Sequence, residues 1–273
     1  KYEGNRPILY FADGIDKLLN EHPGQANFPV TPMDPGYVNV DRETLKGDAH
    51  QFTYRSIIGS LMFGACNIRP DIMFATSYLS RYSHKPKIAD MRAANRVIGF
   101  LRGTKNDGID LLGDPEDFNV VGVGDSSHGD DTERGKSTVG LSVFIGKALV
   151  IWNSKRSKLV CTSTTEAELD GMFKCSLDAE WVKEFVEFMI KRKVQLTIKS
   201  DCTPLLDSMR NGNAIERTRQ YRVKYYYVLE RYEQNKFKLE YVPSEENPAD
   251  AHTKALNRNQ FKKAREYLNI ITA

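Results

Sequence analysis

At Asn106-Asp107-Gly108 the hydrophobic period of this chain changes, and no other feature constrains its fold as strongly. Before that point apolar residues recur every three or four positions, the spacing of one buried helix face; after it they alternate, the spacing of half-buried strands. Alternation predicts strands at 109–112, 120–124, 139–145 and 148–153, with Gly146-Lys147 turning the hairpin between the last two. A long amphipathic pattern follows from Thr164 to about Lys191, then a strand at 195–200 and a helix at 204–210. A Tyr-rich basic helix at 217–233, a strand at 237–242 and a last helix opening at 248–256 complete the pattern. Strands that feed helices in this order predict a mixed α/β domain. Along the long helix Leu169, Met172, Phe173, Trp181, Val182, Phe185, Val186 and Met189 read as apolar face, and Trp152 and Trp181 read as core.

Upstream, helical spacing predicts helices near 10–20, 54–65, 70–82 and 87–103, with Pro70 and Asp71 suited to a first turn. Prolines and glycines between Pro23 and Thr53 predict an irregular connector. A chain of 273 residues has room for two cores, so the expected division is a small helical module at 1–114 and an α/β domain at 115–273.

Composition excludes little. The net charge of +3 neither demands nor rules out nucleic acid. Four cysteines without metal-ligand spacing read as reduced thiols, and no zinc site is implied. There is no apolar run of membrane-spanning length and no signal-peptide pattern, and a start at Lys1 rather than Met is what a piece of a longer polypeptide would show.

Chemistry enters through four carboxylates. Asp125 ends the strand Val121-Gly122-Val123-Gly124, and Asp201 follows the strand ending at Ser200. Ligands of open α/β sheets bind at such strand ends. Asp250 lies in a first helical turn after Asn247-Pro248. Glu168 lies in the helix start Cys161-Thr162-Ser163-Thr164-Thr165-Glu166-Ala167-Glu168, where either Ser163 with Glu166 or Thr165 with Glu168 has the spacing of a capping box. Oxygen ligands alone suit a hard cation such as Mg²⁺ or Mn²⁺, and two such ions suit in-line phosphodiester hydrolysis.

These elements carry a resemblance. Asp125, Gly135-Lys136-Ser137-Thr138-Val139-Gly140, Ile151-Trp152-Asn153-Ser154-Lys155, Ser163-Thr164-Thr165-Glu166-Ala167-Glu168, Ser200-Asp201-Cys202, Tyr241-Val242-Pro243-Ser244-Glu245 and Ala249-Asp250-Ala251-His252-Thr253-Lys254-Ala255-Leu256 together resemble the ribonuclease H domain of copia-type LTR retrotransposon Pol polyproteins. Upstream, Tyr54-Arg55-Ser56-Ile57-Ile58-Gly59-Ser60-Leu61, Arg69-Pro70-Asp71-Ile72 and Ala93-Ala94-Asn95-Arg96-Val97 resemble the reverse-transcriptase thumb and connection. The resemblance implies a ribonuclease H-like mixed sheet flanked by helices, preceded by a mainly helical thumb/connection module. It implies cleavage of the RNA strand of an RNA/DNA hybrid, with Asp125, Glu168, Asp201 and Asp250 as catalytic metal ligands for two Mg²⁺ ions, Mn²⁺ substituting. Between the glutamates it favours Glu168, which precedes Leu169, and leaves Glu166 as a capping or accessory residue. Implied partners are the hybrid and the remainder of the reverse transcriptase, with no membrane, in the cytoplasm, in virus-like particles or in the nucleus. No Tyr-x-Asp-Asp is present, so polymerisation is not implied.

This chain departs from the family pattern after Asp125, where Ser126-Ser127-His128-Gly129 replaces an acid and a Trp, and at Gln220 and Arg222, which replace a His and an acid. A catalytically silent ribonuclease H-like module is therefore the alternative. An integrase-like nuclease would need a zinc-binding His/Cys module that the chain lacks. His252, near the last aspartate, is a candidate accessory proton carrier, and His128 a weaker one; a solvent-facing histidine is the plainer reading of each. Lys155, Arg156 and Lys158, with Arg217, Arg219, Arg222 and Lys224 among tyrosines, are candidates for phosphate contact; a solvated basic face is the plainer reading.

Overall fold

The computed structural model describes the chain apart from residues 1, 4–5, 24–27, 39, 112–115, 132–133, 213–218 and 273, and at 2, 3, 6, 219 and 220 it describes backbone alone. In chain order come β1 (Tyr2–Glu3), β2 (Arg6–Tyr10), α1 (Ala12–Glu21), α2 (Pro35–Val38), α3 (Gln51–Asn67), α4 (Met73–Ser80), α5 (Ile88–Gly103) and β3 (Asp107–Asp110). β4 (Val120–Asp131), β5 (Lys136–Ile145), β6 (Ala148–Arg156), α6 (Thr164–Ile190), β7 (Leu196–Ser200), α7 (Thr203–Asn211), α8 (Arg219–Glu233) and β8 (Lys238–Tyr241) follow, and α9 (Arg258–Tyr267) and β9 (Ile270–Thr272) end the chain.

The chain divides into two units, Lys1–Leu111 with Lys254–Ala273, and Leu112–Thr253. The expected boundary after Asp114 lies outside the described residues. The expected extension of the second domain to residue 273 is corrected: Lys254–Ala273 cluster with the first unit. Three contacts explain this. β9 pairs with β3, Phe261 packs edge-on against Phe100 with ring centroids 5.6 Å apart, and Arg265 reaches Asp71 at 3.2 Å. A second correction concerns the last helix: Pro248–His252 forms a 3-10 turn, and α9 begins only at Arg258, capped by Asn257.

The first unit is mainly helical, with the sheet β1-β2-β3-β9 beside its helices. Its helices bury the apolar faces expected of them, Ile57, Ile58 and Leu61 on α3 and Ala94, Val97, Ile98 and Leu101 on α5 among them.

The second unit holds a five-stranded sheet in the order β6-β5-β4-β7-β8. β4, β5 and β6 run antiparallel, whereas β7 lies parallel to β4 and β8 parallel to β7. This is a mixed sheet of the kind the resemblance implies. α6 packs across it, and glycine makes the approach possible: a Cβ at Gly124 would stand 2.7 Å from the Gly171 carbonyl oxygen. Met172, Cys175, Ala179 and Val182 of α6 join Leu141, Val143 and Ile198 of the sheet and Tyr221, Tyr225 and Val228 of α8 in one buried cluster. Trp181 does not: it is 62% exposed, as are Phe185 at 51% and Met189 at 61%, which corrects their assignment to the core side. Helical periodicity identifies apolar positions but not what covers them.

Candidate functional site

The parallel pairing of β4 and β7 gathers the first two acids. Val123 lies in register with Lys199, so two residues further on both strands place Asp125 and Asp201 at the same end of the sheet. Asp125, still within β4 and 4% exposed, is paired across β5 with Gly140. That glycine admits the third acid. A Cβ at Gly140 would stand 2.7 Å from Thr253, 2.8 Å from His252 and 2.9 Å from the Ala249 carbonyl oxygen, so only a bare backbone lets the 3-10 turn carrying Asp250 settle on the strand. The turn is fixed at its start by Asn247, whose side chain accepts a hydrogen bond from Ala249 N at 2.9 Å.

In the result, carboxylate oxygens of Asp125, Asp201 and Asp250 all lie within 4.8 Å of one another. Hydroxyls orient two of them. Thr253 Oγ1 donates to Asp125 Oδ2, and Ser244 Oγ donates to Asp201 Oδ2 at 2.6 Å. Three carboxylates this close repel one another unless positive charge intervenes, and an all-oxygen donor set of this kind fits a hard divalent cation. Glu168 stands outside that 4.8 Å group, one turn into α6. Burial chiefly, with the charges of Glu168 and Asp201 adding to it, pushes the Cys202 thiol up to about 11.

Of the two capping pairs open in the sequence, Ser163 with Glu166 forms. Ser163 Oγ accepts from Glu166 N at 3.2 Å, while Glu166 Oε2 accepts from Thr162 N at 2.6 Å and from Thr162 Oγ1 at 2.7 Å. Glu166 is buried by this and turned into the helix cap. His252 is wholly buried against β5, not solvent-facing, and His128 places Nε2 3.1 Å from the Cys161 carbonyl oxygen.

Lys155, Arg156, Lys158 and Lys224 come together around a cavity of about 620 Å³ between the end of β6, α6 and α8. The sequence reading missed two of its members. Asp170, 1% exposed, accepts from Ser157 Oγ at 2.8 Å, Lys174 Nζ at 2.9 Å and Lys224 Nζ at 2.6 Å. Burial raises its carboxyl, but Lys174 and Lys224 outweigh burial and hold it below the usual carboxylate range. The spacing from Asp170 to Lys174 was the available signal, being that of a helical ion pair. Arg222 lines a separate shallow cavity with Tyr226 and Glu230. Arg217 and the side chain of Arg219 lie outside the described residues.

No family model matches the chain. Retrovirus-related Pol polyproteins of plant transposons are among its homologues, which bears out the resemblance read from the motifs. It is 28% identical over 262 residues to the Pol polyprotein of transposon TNT 1-94 of Nicotiana tabacum, covering 94% of this chain and 20% of that one. It is 28% identical over 250 residues to that of transposon RE1 of Arabidopsis thaliana, covering 91% and 17%. The chain thus spans a fifth or less of the length of these relatives. Among solved structures, LC11-RNase H1, isolated from compost by a metagenomic approach, superposes with a TM-score of 0.40 at 14% identity, over 54% of this chain and 98% of that one.

Proposed function

We propose that this chain is a metal-dependent ribonuclease H that cleaves the RNA strand of RNA/DNA hybrids within a retrotransposon Pol polyprotein. The observation that carries the reading is the convergence of Asp125, Asp201 and Asp250 from a strand, a strand end and a 3-10 turn onto oxygens within 4.8 Å. Residues so far apart in sequence meet there at the cost of mutual repulsion, which a structural role does not call for. With Glu168 they would hold two Mg²⁺ ions. Such ions, when bound, supply an activated water and charge for the leaving 3′-oxygen.

The chain's own residues do the rest. Thr253 and Ser244 fix the direction of two carboxylates, so the donor set is formed before substrate arrives. Lys155, Arg156 and Lys158 hold phosphates of the substrate through charge, with Arg222 adding to the basic surface, while Lys174 and Lys224 are engaged by Asp170. A hybrid is read by backbone shape and 2′-hydroxyls rather than by base sequence. The first unit serves as the thumb and connection of the larger enzyme.

The test is a labelled hybrid incubated with the purified chain and Mg²⁺. Cleavage confined to the RNA strand, abolished by chelator and by Asp201→Asn, supports the reading. An inert wild-type chain would favour the silent module, and full activity in Asp201→Asn would sink the metal assignment.

A further inference from the structure

α6 is apolar on two sides. One side faces the sheet through Met172, Cys175, Ala179, Val182 and Val186. The other carries Leu177, Trp181, Phe185, Phe188 and Met189, exposed by 40, 62, 51, 67 and 61%. Their spacing of three, four, seven and eight places them on one stripe, and Trp181 and Phe185 lie stacked with ring planes 11° apart. A soluble helix normally shows charge on its outward face, and a contiguous stripe of this size marks an interaction surface. With each aromatic ring worth roughly 150–250 Å² of surface, the exposed parts amount to on the order of 500 Å², the core of an interface that buries about 800 Å² per partner.

Charge along the stripe identifies the occupant. Asp178, Glu180 and Glu184 flank its N-terminal half, Glu180 paired with Arg231 at 3.7 Å, and at its C-terminal end Lys193 is paired with Glu187 at 2.9 Å, which leaves Lys191 and Arg192 as the cationic end. Lys183, in the acidic half, is drawn aside and donates to the Lys236 carbonyl oxygen at 3.0 Å. Two copies of α6 laid parallel would oppose acid to acid and base to base. Laid antiparallel, with a twofold axis near Phe185, they place Trp181 beside Met189 and Asp178 beside Arg192 of the other copy.

We propose that the outer face of α6 is a self-complementary surface through which a second copy of this chain docks antiparallel. This assignment is independent of the nuclease reading, since the stripe shares no residue with the carboxylate site. The test is sedimentation of the intact chain over a concentration series, with Trp181 fluorescence as a local probe. The expected result is a reversible dimer whose formation shifts Trp181 emission to the blue, and at least a tenfold weaker association in Phe188→Glu with its circular dichroism unchanged.

Polarity is tested by charge reversal. Asp178→Lys with Glu184→Lys in one copy, and Lys191→Glu with Arg192→Glu in another, each weaken self-association, yet the two variants mixed associate as wild type does. A chain that stays monomeric at all concentrations overturns the proposal, whether the stripe then proves to bind lipid vesicles or another protein. A dimer indifferent to Phe188→Glu, or variants that fail to recover on mixing, overturns it equally.

Discussion

Asp71 and Asp125 are both buried aspartates, 2% and 4% exposed, and they keep opposite company. Asp71, in the first unit, is gripped by Arg69 through two hydrogen bonds of 2.9 Å, and Arg265 approaches it at 3.2 Å before pairing with Asp107. Arg69 also donates to the Thr104 carbonyl oxygen at 3.0 Å and hydroxyl at 2.7 Å. Asp125, in the second unit, has a threonine hydroxyl and two further carboxylates within reach. A buried charge surrounded by matched opposite charge holds a fold together; a buried charge gathered with its own sign has the donor set a hard cation takes. Asp170 sides with Asp71, since two lysines converge on it.

The contrast is broken most directly by removing the charge on each side. Asp201→Asn keeps shape and is expected to lower hybrid cleavage by on the order of 10³-fold with the thermal midpoint unchanged or raised. Asp71→Ala strands Arg69 in the interior and should cost about 3 kcal/mol in urea unfolding. If Asp71→Ala proved harmless to stability, or Asp201→Asn unfolded the chain, the two sites would not differ in kind.

The glutamates of α6 sharpen the same division within one helix turn. Glu168→Gln should lower cleavage by roughly 10²-fold at unchanged stability. Glu166→Ala should cost about 1 kcal/mol, through the cap it forms with Ser163 and Thr162, while leaving cleavage nearly intact.

Acid gives the smallest effect and the cleanest sign. Burial raises the Asp71 carboxyl, but Arg69 and then Arg265 outweigh it, so its folded value lies below the ordinary 3.8. Its contribution to stability is therefore complete above about pH 4 and is lost as pH falls through the folded value. Acid titration of wild type should show a downward slope below pH 4 that Asp71→Asn flattens.

Much of the second unit was legible because alternation survives wherever one strand face is buried, as in β8, where Leu239 is buried between exposed Lys238 and Glu240. The glycines at 122 and 124 stand where α6 comes closest to β4. The short strands β1, β2 and β9 were not legible: two and three residues are too few for a period in β1 and β9, and Pro7 near the start of β2 reads against a strand. The return of β9 to β3 spans more than 150 residues and depends on partners no local pattern names. The aspartates were found from their places at element ends, but the hydroxyls that aim them come from 128 and 43 residues away and carry no local mark. Trp181 was misplaced for a related reason, since an apolar stripe looks alike whether sheet, solvent or a second molecule lies against it.

Cation binding by the intact chain, measured by titration calorimetry with Mn²⁺, tests the central claim without depending on substrate. The account predicts saturable binding in wild type and in Asp71→Asn, and its loss in Asp125→Asn and Asp250→Asn. Wild type that binds no ion, or aspartate variants that bind as well as wild type, would contradict it.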